Sequence, residues 1–234
     1  MRPYAFTPSI LQTIAWPFAH LIFNLSGSFT VTGYEKIAKL KGPIIFAANH
    51  VNDLDPVLTR AMLPMFGKPL FWVARHKTFY QSLPEDERFR GWQAIIYGDW
   101  FFRAWGACLV PKGTGDYKTS LRELTQRISD GYNVCVFPQG GAEKKLGRAA
   151  PIRGGVAFLA HHTGATVVPL AISGTHGLGP KELFSGKRRL SISVGDSLTI
   201  QGDPQSVPDF YKNESQKIMD RVYALADNPT AEMV

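Results

Sequence analysis

Residues 44–48, Ile-Ile-Phe-Ala-Ala, form an unbroken apolar run between Gly42-Pro43 and Asn49-His50, and a helix start follows at once in Asp55-Pro56. A run this short, bounded by turn residues, is a strand buried on both faces. Buried strand, tight turn, then helix is the unit from which parallel α/β sheets are built. The rhythm recurs along the chain. Apolar runs at Leu70–Ala74, Ala107–Val110, Asn133–Phe137 and Thr166–Ile172 predict further strands, and the alternation at Ser28–Thr32 and Arg189–Val194 predicts two more. Between them, helical periodicity spans Val57–Met65 and Tyr117–Ser129, with Gly131 as the stop. A further helix is marked by Ile152, Val156 and Leu159 and closed by Gly164, and a terminal one covers 208–226. Tyr34–Lys41 is a short amphipathic segment, and residues 78–105 show no regular pattern. Pro169 argues for a sheet edge or a bulge at its position. The expected fold is α/β, a single domain with a mainly parallel mixed sheet flanked by helices, covering residues 28–234.

Residues 1–27 precede that domain. The stretch 8–25 is apolar but interrupted by Gln12, Pro17, His20 and Asn24, and a spanning helix needs about 20 mostly apolar residues. An N-terminal apolar helical membrane-anchoring segment lying in the interface, with Trp16 at headgroup level, fits this composition. A packed helix kinked at Pro17 is the alternative. The whole chain of 234 residues is 44% hydrophobic and 19% charged, with a net charge of +7. These totals exclude a disordered chain and favour anionic lipid surfaces or other polyanions as partners. The two cysteines, Cys108 and Cys135, each lie in an apolar run. Buried free thiols and a cytoplasmic-facing location follow.

His50 ends the first buried strand and Asp55 opens the next helix, at the strand end where α/β folds bind ligands. Five residues apart, the two would point apart on a regular helix. They meet only if Asn52-Asp53 form a turn. A carboxylate on one imidazole nitrogen then leaves the other free to take a proton. No serine or cysteine nearby offers itself as a nucleophile, so the arrangement predicts a general base acting on a substrate hydroxyl. Asp55 is also a natural N-cap with Pro56 at the first helical position. One carboxylate oxygen could cap while the other orients His50, or Asp55 could cap alone with His50 a surface histidine. Asp53 is a rival orienter.

Basic residues recur just after predicted strands: Arg75 and Lys77, Lys112, then Lys144, Lys145, Arg148 and Arg153. Parallel strands would gather these at the sheet end that carries His50, a cationic wall suited to a phosphate-bearing substrate. The alternative is a solvated basic surface. Aromatics from Trp92 through Tyr97, Trp100, Phe101 and Phe102 to Trp105 suggest a membrane-interface surface, an acyl-chain tunnel or an ordinary buried helix. Lys112-Gly113-Thr114-Gly115 lacks the order of a nucleotide phosphate loop. His161-His162 point apart on a helix, so no metal site is expected. No nucleic-acid recognition module is visible.

Asn49-His50…Asp55-Pro56, Phe137-Pro138-Gln139-Gly140 and Val167-Val168-Pro169-Leu170-Ala171-Ile172-Ser173-Gly174 occur in an order that resembles the 1-acyl-glycerol-3-phosphate (lysophosphatidate) acyltransferase family. Gly106–Lys112 looks like that family's second motif, with lysine where arginine is usual. The likeness covers roughly residues 30–200. It implies a membrane-associated enzyme moving a fatty acyl group from a thioester, on coenzyme A or acyl carrier protein as cosubstrate, to a lipid hydroxyl, with no other cofactor. His50 would deprotonate the hydroxyl and Asp55 orient it. The second and third motifs would hold the acceptor's phosphate, through Arg75, Lys112, Lys144, Lys145, Arg148 and Arg153. The fourth motif, around Val168 and Pro169, would lie near the acyl or donor site. The third motif departs from the family pattern, since Gln139, Gly141 and Ala142 stand where glutamate, threonine and arginine are usual. A non-phosphate acceptor such as a glycolipid, a non-catalytic basic lipid-binding protein and a thioesterase are the competing readings.

Overall fold

A computed structural model describes residues 1–64, 67–75, 99–110, 116–140 and 151–227, with the side chains of Arg75 and Pro180 outside that description. The strands are β1 (Gly27–Thr32), β2 (Ile44–Ala48), β3 (Phe71–Arg75), β4 (Ala107–Val110), β5 (Val134–Val136), β6 (Thr166–Ser173) and β7 (Arg188–Val194). They form one seven-stranded sheet in the order β1-β7-β6-β2-β5-β3-β4. The pairings are parallel except β6 with β7.

Alternate residues of one strand feed opposite cores, so the central strands read as continuous apolar runs. Ile44, Phe46 and Ala48 join one buried cluster, with Leu58, Ala61 and Met62 of helix α3 (Asp55–Met62) and Phe23 of helix α1 (Pro3–Leu25). The α2 turn (Glu35–Ala38) adds Ile37. Ile45 and Ala47 join the other cluster, which is closed by three further helices. These helices follow α4 (Asp99–Ala104) and α5 (Tyr117–Ser120) in the chain: α6 (Arg122–Ser129), α7 (Gly155–Thr163) and, after the short α8 (Pro180–Leu183), α9 (Phe210–Ala226). Both cysteines are buried free thiols, and burial pushes each above its ordinary pKa, Cys108 to about 12.

The connections fix where a ligand can bind. β2 runs through α3 to β3, beyond its neighbour β5, while β5 runs through α7 to β6, on the other side of β2. The two crossovers leave adjacent strands in opposite directions. A crevice therefore opens beyond the C-terminal ends of β2 and β5, the topological switch point of an open sheet.

Several local expectations need correction. The helix expected at 117–129 is two pieces, α5 and α6, broken at Leu121 (φ −104°, ψ 12°). Helix α4 lies in the segment that shows no pattern in sequence, with no buried residue of its own. Trp92 and Tyr97 fall outside the described residues. Pro169 does not mark a sheet edge, because β6 lies between β2 and β7. Between the Leu170–Val194 pair and the Val167–Leu198 bridge, two residues of β6 face three of the adjoining chain. Pro169 sits at that bulge, its carbonyl accepting from Gly195 N–H at 2.9 Å.

Helix α1 is amphipathic in an inverted sense. Gln12, Trp16 and His20, one turn apart, face the protein and bond to backbone carbonyls. Gln12 Nε2 donates to Leu70 O (2.8 Å) and Trp105 O (2.7 Å), Trp16 Nε1 to Leu63 O (2.7 Å), and His20 Nε2 bonds Ala61 O at 2.7 Å. Half-buried Trp16 therefore ties the helix to the protein through its indole N–H. The helix continues through Pro8 and Pro17. Gln12 is its hub, for its Oε1 also accepts from Leu70 N–H (2.9 Å) and from the buried Arg60 Nε (2.8 Å). Only glycine fits opposite it, since a Cβ at Gly106 would lie 2.8 Å from Leu70 O and 3.0 Å from Gln12 Nε2. The outer face carries Phe6, Ile10, Ile14, Phe18, Leu21 and Leu25, from 43% to 62% exposed.

Replacing Gln12 by leucine removes the acceptor of the Leu70 N–H and of Arg60 Nε, while Arg60 Nη1 keeps its bond to Pro64 O (3.2 Å), at about 1–3 kcal/mol for each buried hydrogen bond lost. Gln12→Leu is expected to lower the urea midpoint by roughly 2–5 kcal/mol equivalent at unchanged m-value. Leucine at position 12 makes the stretch more apolar, so an unchanged or raised midpoint would contradict the hub assignment.

Candidate active site

The turn after β2 is held from both neighbouring strands. Asn49 clamps the end of β6, its Nδ2 donating to Ile172 O (2.8 Å) and its Oδ1 accepting from Ile172 N–H (2.7 Å). On the other side Gln139, which follows β5, accepts from His50 N–H through Oε1 at 2.7 Å. Asn52 Nδ2 donates to the carbonyls of Thr175 and Leu178, both at 3.0 Å, while Asn52 Oδ1 accepts from Leu54 N–H at 3.0 Å. That last bond is the asparagine turn which brings Asp55 back toward His50.

The imidazole and the carboxylate meet. His50 Nδ1 bonds Asp55 Oδ2 at 2.9 Å, and the same oxygen accepts from Val51 N–H and Asn52 N–H, each at 2.8 Å. Asp55 is fully buried, while the His50 side chain is 14% exposed. Asp55 is the first residue of α3 but makes no side-chain cap bond. One oxygen orients His50 and ties the turn, and the buried Oδ1 has no hydrogen-bond partner among the described residues. The expected division of labour between capping and orienting is thus absent, because the carboxylate reaches backward to the turn and not forward along the helix. Asp53 is exposed, and the orienting contact belongs to Asp55. The His50 ring stacks on Phe137, with centroids 4.3 Å apart and planes at 27°. With Nδ1–H donating to a carboxylate, Nε2 is the nitrogen left to accept a proton. Burial pushes the nearby Cys135 thiol up, the charge of Asp55 adds to the shift, and a hydrogen bond from Thr59 opposes it.

Around this pair, Phe137, Pro138, Gln139 and Gly140 form the turn after β5, closed by Gly140 N–H to Phe137 O at 2.9 Å. Pro138 O accepts from Arg153 N–H at 2.8 Å. Gly140 has φ +73°, and a Cβ there would lie 2.4 Å from Arg153 Nε. The exposed Arg153 side chain therefore lies across Gly140, beside the residue that holds His50. Lys77, Lys112, Gly141, Ala142, Lys144, Lys145 and Arg148 lie outside the described residues, as does the side chain of Arg75 at the end of β3. Val168 and Pro169 are buried in the middle of β6, with Pro169 in register with Ala47. His161 bonds Gly202 O at 3.0 Å and His162 stacks on Phe158.

A family profile described as Acyltransferase matches residues 28–173. The chain belongs to the acyltransferase family. A protein described as Taffazin, from Dictyostelium discoideum, is 26% identical over 114 residues, which is 47% of this chain and 36% of that relative. The chain thus matches little more than a third of that relative's length. The crystal structure of the 1-acyl-sn-glycerophosphate (LPA) acyltransferase PlsC from Thermotoga maritima superimposes with a TM-score of 0.63. It covers 97% of this chain and 85% of its own at 19% identity, a likeness of fold. The profile spans the sheet from β1 to β6, and with it the strand ends that carry the His50–Asp55 pair and the Gln139 turn of this family member.

Asn52 makes the turn expected of it, while the positioning bonds of Asn49 and Gln139 were not assigned from the sequence. Two asparagines flanking a histidine at a strand end are a visible signal for side chains that bond backbone in a turn. Gln139→Leu removes the acceptor for His50 N–H at nearly constant volume. The expected outcome is a fall in acyl-transfer kcat on the order of 10- to 100-fold in protein that is still folded, with a stability loss of about 1–3 kcal/mol for the orphaned His50 N–H, since displacement of a catalytic group by about 1 Å can cost that much in rate. Steady-state kinetics beside a melting curve would check it.

Proposed function

We propose that the protein transfers a fatty acyl group from an acyl-coenzyme A or acyl carrier protein thioester to a lipid hydroxyl, with 1-acyl-glycerol-3-phosphate as acceptor and phosphatidate as product. The observation that carries the proposal is the 2.9 Å contact between His50 Nδ1 and the buried Asp55 carboxylate at the switch-point crevice. His50 Nε2 takes the proton from the acceptor hydroxyl, and the oxygen attacks the thioester carbonyl. The C–S bond breaks as the C–O bond is completed. The departing thiolate then receives the proton from the imidazolium, which Asp55 has stabilised meanwhile. No acyl-enzyme is required. Arg153 is the first candidate for the acceptor phosphate, since its side chain crosses Gly140 next to the residue that positions His50. Lysine at 112 and the changes at Gln139, Gly141 and Ala142 support a second reading, a less anionic acceptor such as a glycolipid.

The reaction needs its lipid acceptor delivered from a bilayer, and the outward face of α1 suits that. Among the described residues no helix is long and apolar enough to cross a membrane. The apolar stripe from Phe6 to Leu25 is roughly 30 Å long at 1.5 Å per residue. Exposed Phe184 follows α8, which packs against α1, and α8 follows the 175–178 loop that Asn52 grips. We take this stripe as an interfacial surface on an anionic membrane, at its cytoplasmic face, lying in the bilayer rather than crossing it.

Two experiments test the proposal. Labelled acyl-thioester and a panel of lysolipids should give acylated lipid with the wild type, and His50→Ala should reduce the rate by roughly 100- to 10,000-fold. Undiminished transfer by that variant would refute the role of His50, and fatty acid release without dependence on acceptor would point to a thioesterase. Glycerol 3-phosphate should compete if the acceptor is a phosphate ester, whereas indifference to it would favour the glycolipid reading. For the membrane surface, Ile14→Asp with Phe18→Asp replaces two exposed side chains. It is expected to weaken flotation with vesicles by on the order of 100-fold or more at unchanged fold, given about 1.5–3 kcal/mol for burying each apolar side chain.

A further inference from the structure

We propose that the cavity between the start of α1, α4 and α6 is a second anion site, which takes the phosphate of a membrane phospholipid headgroup on Arg127. The cavity, of about 320 Å³, is walled by Tyr4, Phe71, Arg103, Cys108 and Arg127, with Trp100 and Thr7 at its rim. Phe71 and Ala107 begin β3 and β4, so it lies at the opposite end of the sheet from His50.

The Arg127 guanidinium carbon lies over the Tyr4 ring, 3.4 Å from its centroid, and 5.3 Å from that of Phe71. Its Nε is buried without a hydrogen-bond partner. Arg127 pairs with no carboxylate among the described residues, and the two nearest acids are committed elsewhere. Glu123 takes Arg103 Nη1 through both oxygens at 3.1 Å. Asp130 collects Arg2 (3.0 Å), the Tyr4 hydroxyl and Gln126 Nε2 (3.1 Å). Cys108 does not supply the charge, since burial keeps its thiol protonated. The buried Nε is closed off from the cavity, so a ligand there would meet the terminal N–H groups of a guanidinium that no carboxylate among the described residues neutralises, the groups with which arginine takes phosphate.

The source of that phosphate follows from the rim. Trp100 is 61% exposed, Thr7 is exposed, and Phe6 and Ile10 of the apolar stripe lie on the same helix beside it. A surface that rests on a bilayer through this stripe carries the cavity mouth to headgroup level. Part of this argument rests on the interfacial reading of α1, but none of it rests on the acyl-transfer reaction.

The test uses the full chain with phosphatidylcholine vesicles, with and without phosphatidylglycerol, and reads binding by sedimentation. Arg127→Gln should lose the phosphatidylglycerol-dependent gain by about tenfold or more. Arg122→Gln removes the same charge from the exposed side of α6 and should lose no more than about threefold. Thr7→Trp, which blocks the mouth and leaves Arg127 in place, should behave like Arg127→Gln, and it decides the matter if the arginine variant does not fold. Equal losses for Arg127→Gln and Arg122→Gln, or full binding by Thr7→Trp, would overturn the site in favour of a diffuse basic surface. Stabilisation by inorganic phosphate that Thr7→Trp abolishes, without any lipid preference, would overturn the lipid source. Loss of all vesicle binding by the wild type would refute the interfacial reading itself, separately from the cavity.

Discussion

One carboxylate oxygen organises the centre of this molecule. Asp55 Oδ2 accepts from the His50 imidazole and from two successive backbone N–H groups, in a side chain with no exposure to solvent. Burying a carboxylate costs several kcal/mol unless strong hydrogen bonds replace its water, and three donors within 2.9 Å supply that replacement. They can converge only if the chain turns sharply between β2 and α3, so the bonds that solvate the charge also determine the turn. The turn then has to be fixed in space. Asn49 does so from β6, Gln139 from the chain after β5, and Asn52 from the loop beyond β6. The sheet topology makes this possible by bringing the ends of β5 and β6 to either side of β2.

Helix α1 solves a different problem with the same economy of polar groups. Its glutamine, tryptophan and histidine point inward to carbonyls at the ends of α3 and ahead of β3 and β4, places where a strand or helix leaves backbone groups unsatisfied. Apolar side chains are thereby left outside. An ordinary surface helix buries its apolar stripe and wets its polar one, whereas here polar side chains point inward beside Ala5, Pro8 and Phe23 and large apolar ones point out, and among the described residues no helix is long and apolar enough to cross a membrane.

The sheet was legible in the sequence because strands buried on both faces must be short apolar runs, as β2 to β6 are, while β1 and β7 show the alternation of strands nearer solvent. The meeting of His50 with Asp55 was legible as a possibility only. Five-residue spacing forbids it on a helix and permits it across a turn, and the deciding bonds come from Asn52 and Gln139, the latter 89 positions away. The direction of Asp55 was not legible, since a carboxylate at a helix start can cap forward or reach back, and local sequence is the same in either case. The interruptions in residues 8–25 argued against a spanning helix, but which way Trp16 faced depended on Leu63 O, a tertiary partner. Pro169 was read as an edge or a bulge, and the bulge is what the sheet holds there. The sheet accommodates it internally because the neighbouring chain carries an extra residue there and its ladder is already interrupted.

Gln139 shows how the chemistry and the acceptor separate. In the family pattern that position is acidic, and here a neutral amide oxygen makes the contact to His50 N–H. The contact needs an acceptor oxygen and no charge, so the turn holds with Asp55 as the carboxylate bonded to the imidazole. Removing a negative charge from the residue beside Gly140 also removes a competitor for Arg153, whose side chain lies across that glycine. Under the proposed reaction the change leaves the general base in place and alters the electrostatics felt by the acceptor. The neutral glutamine thus keeps an acceptor oxygen for His50 N–H while placing no charge beside Gly140.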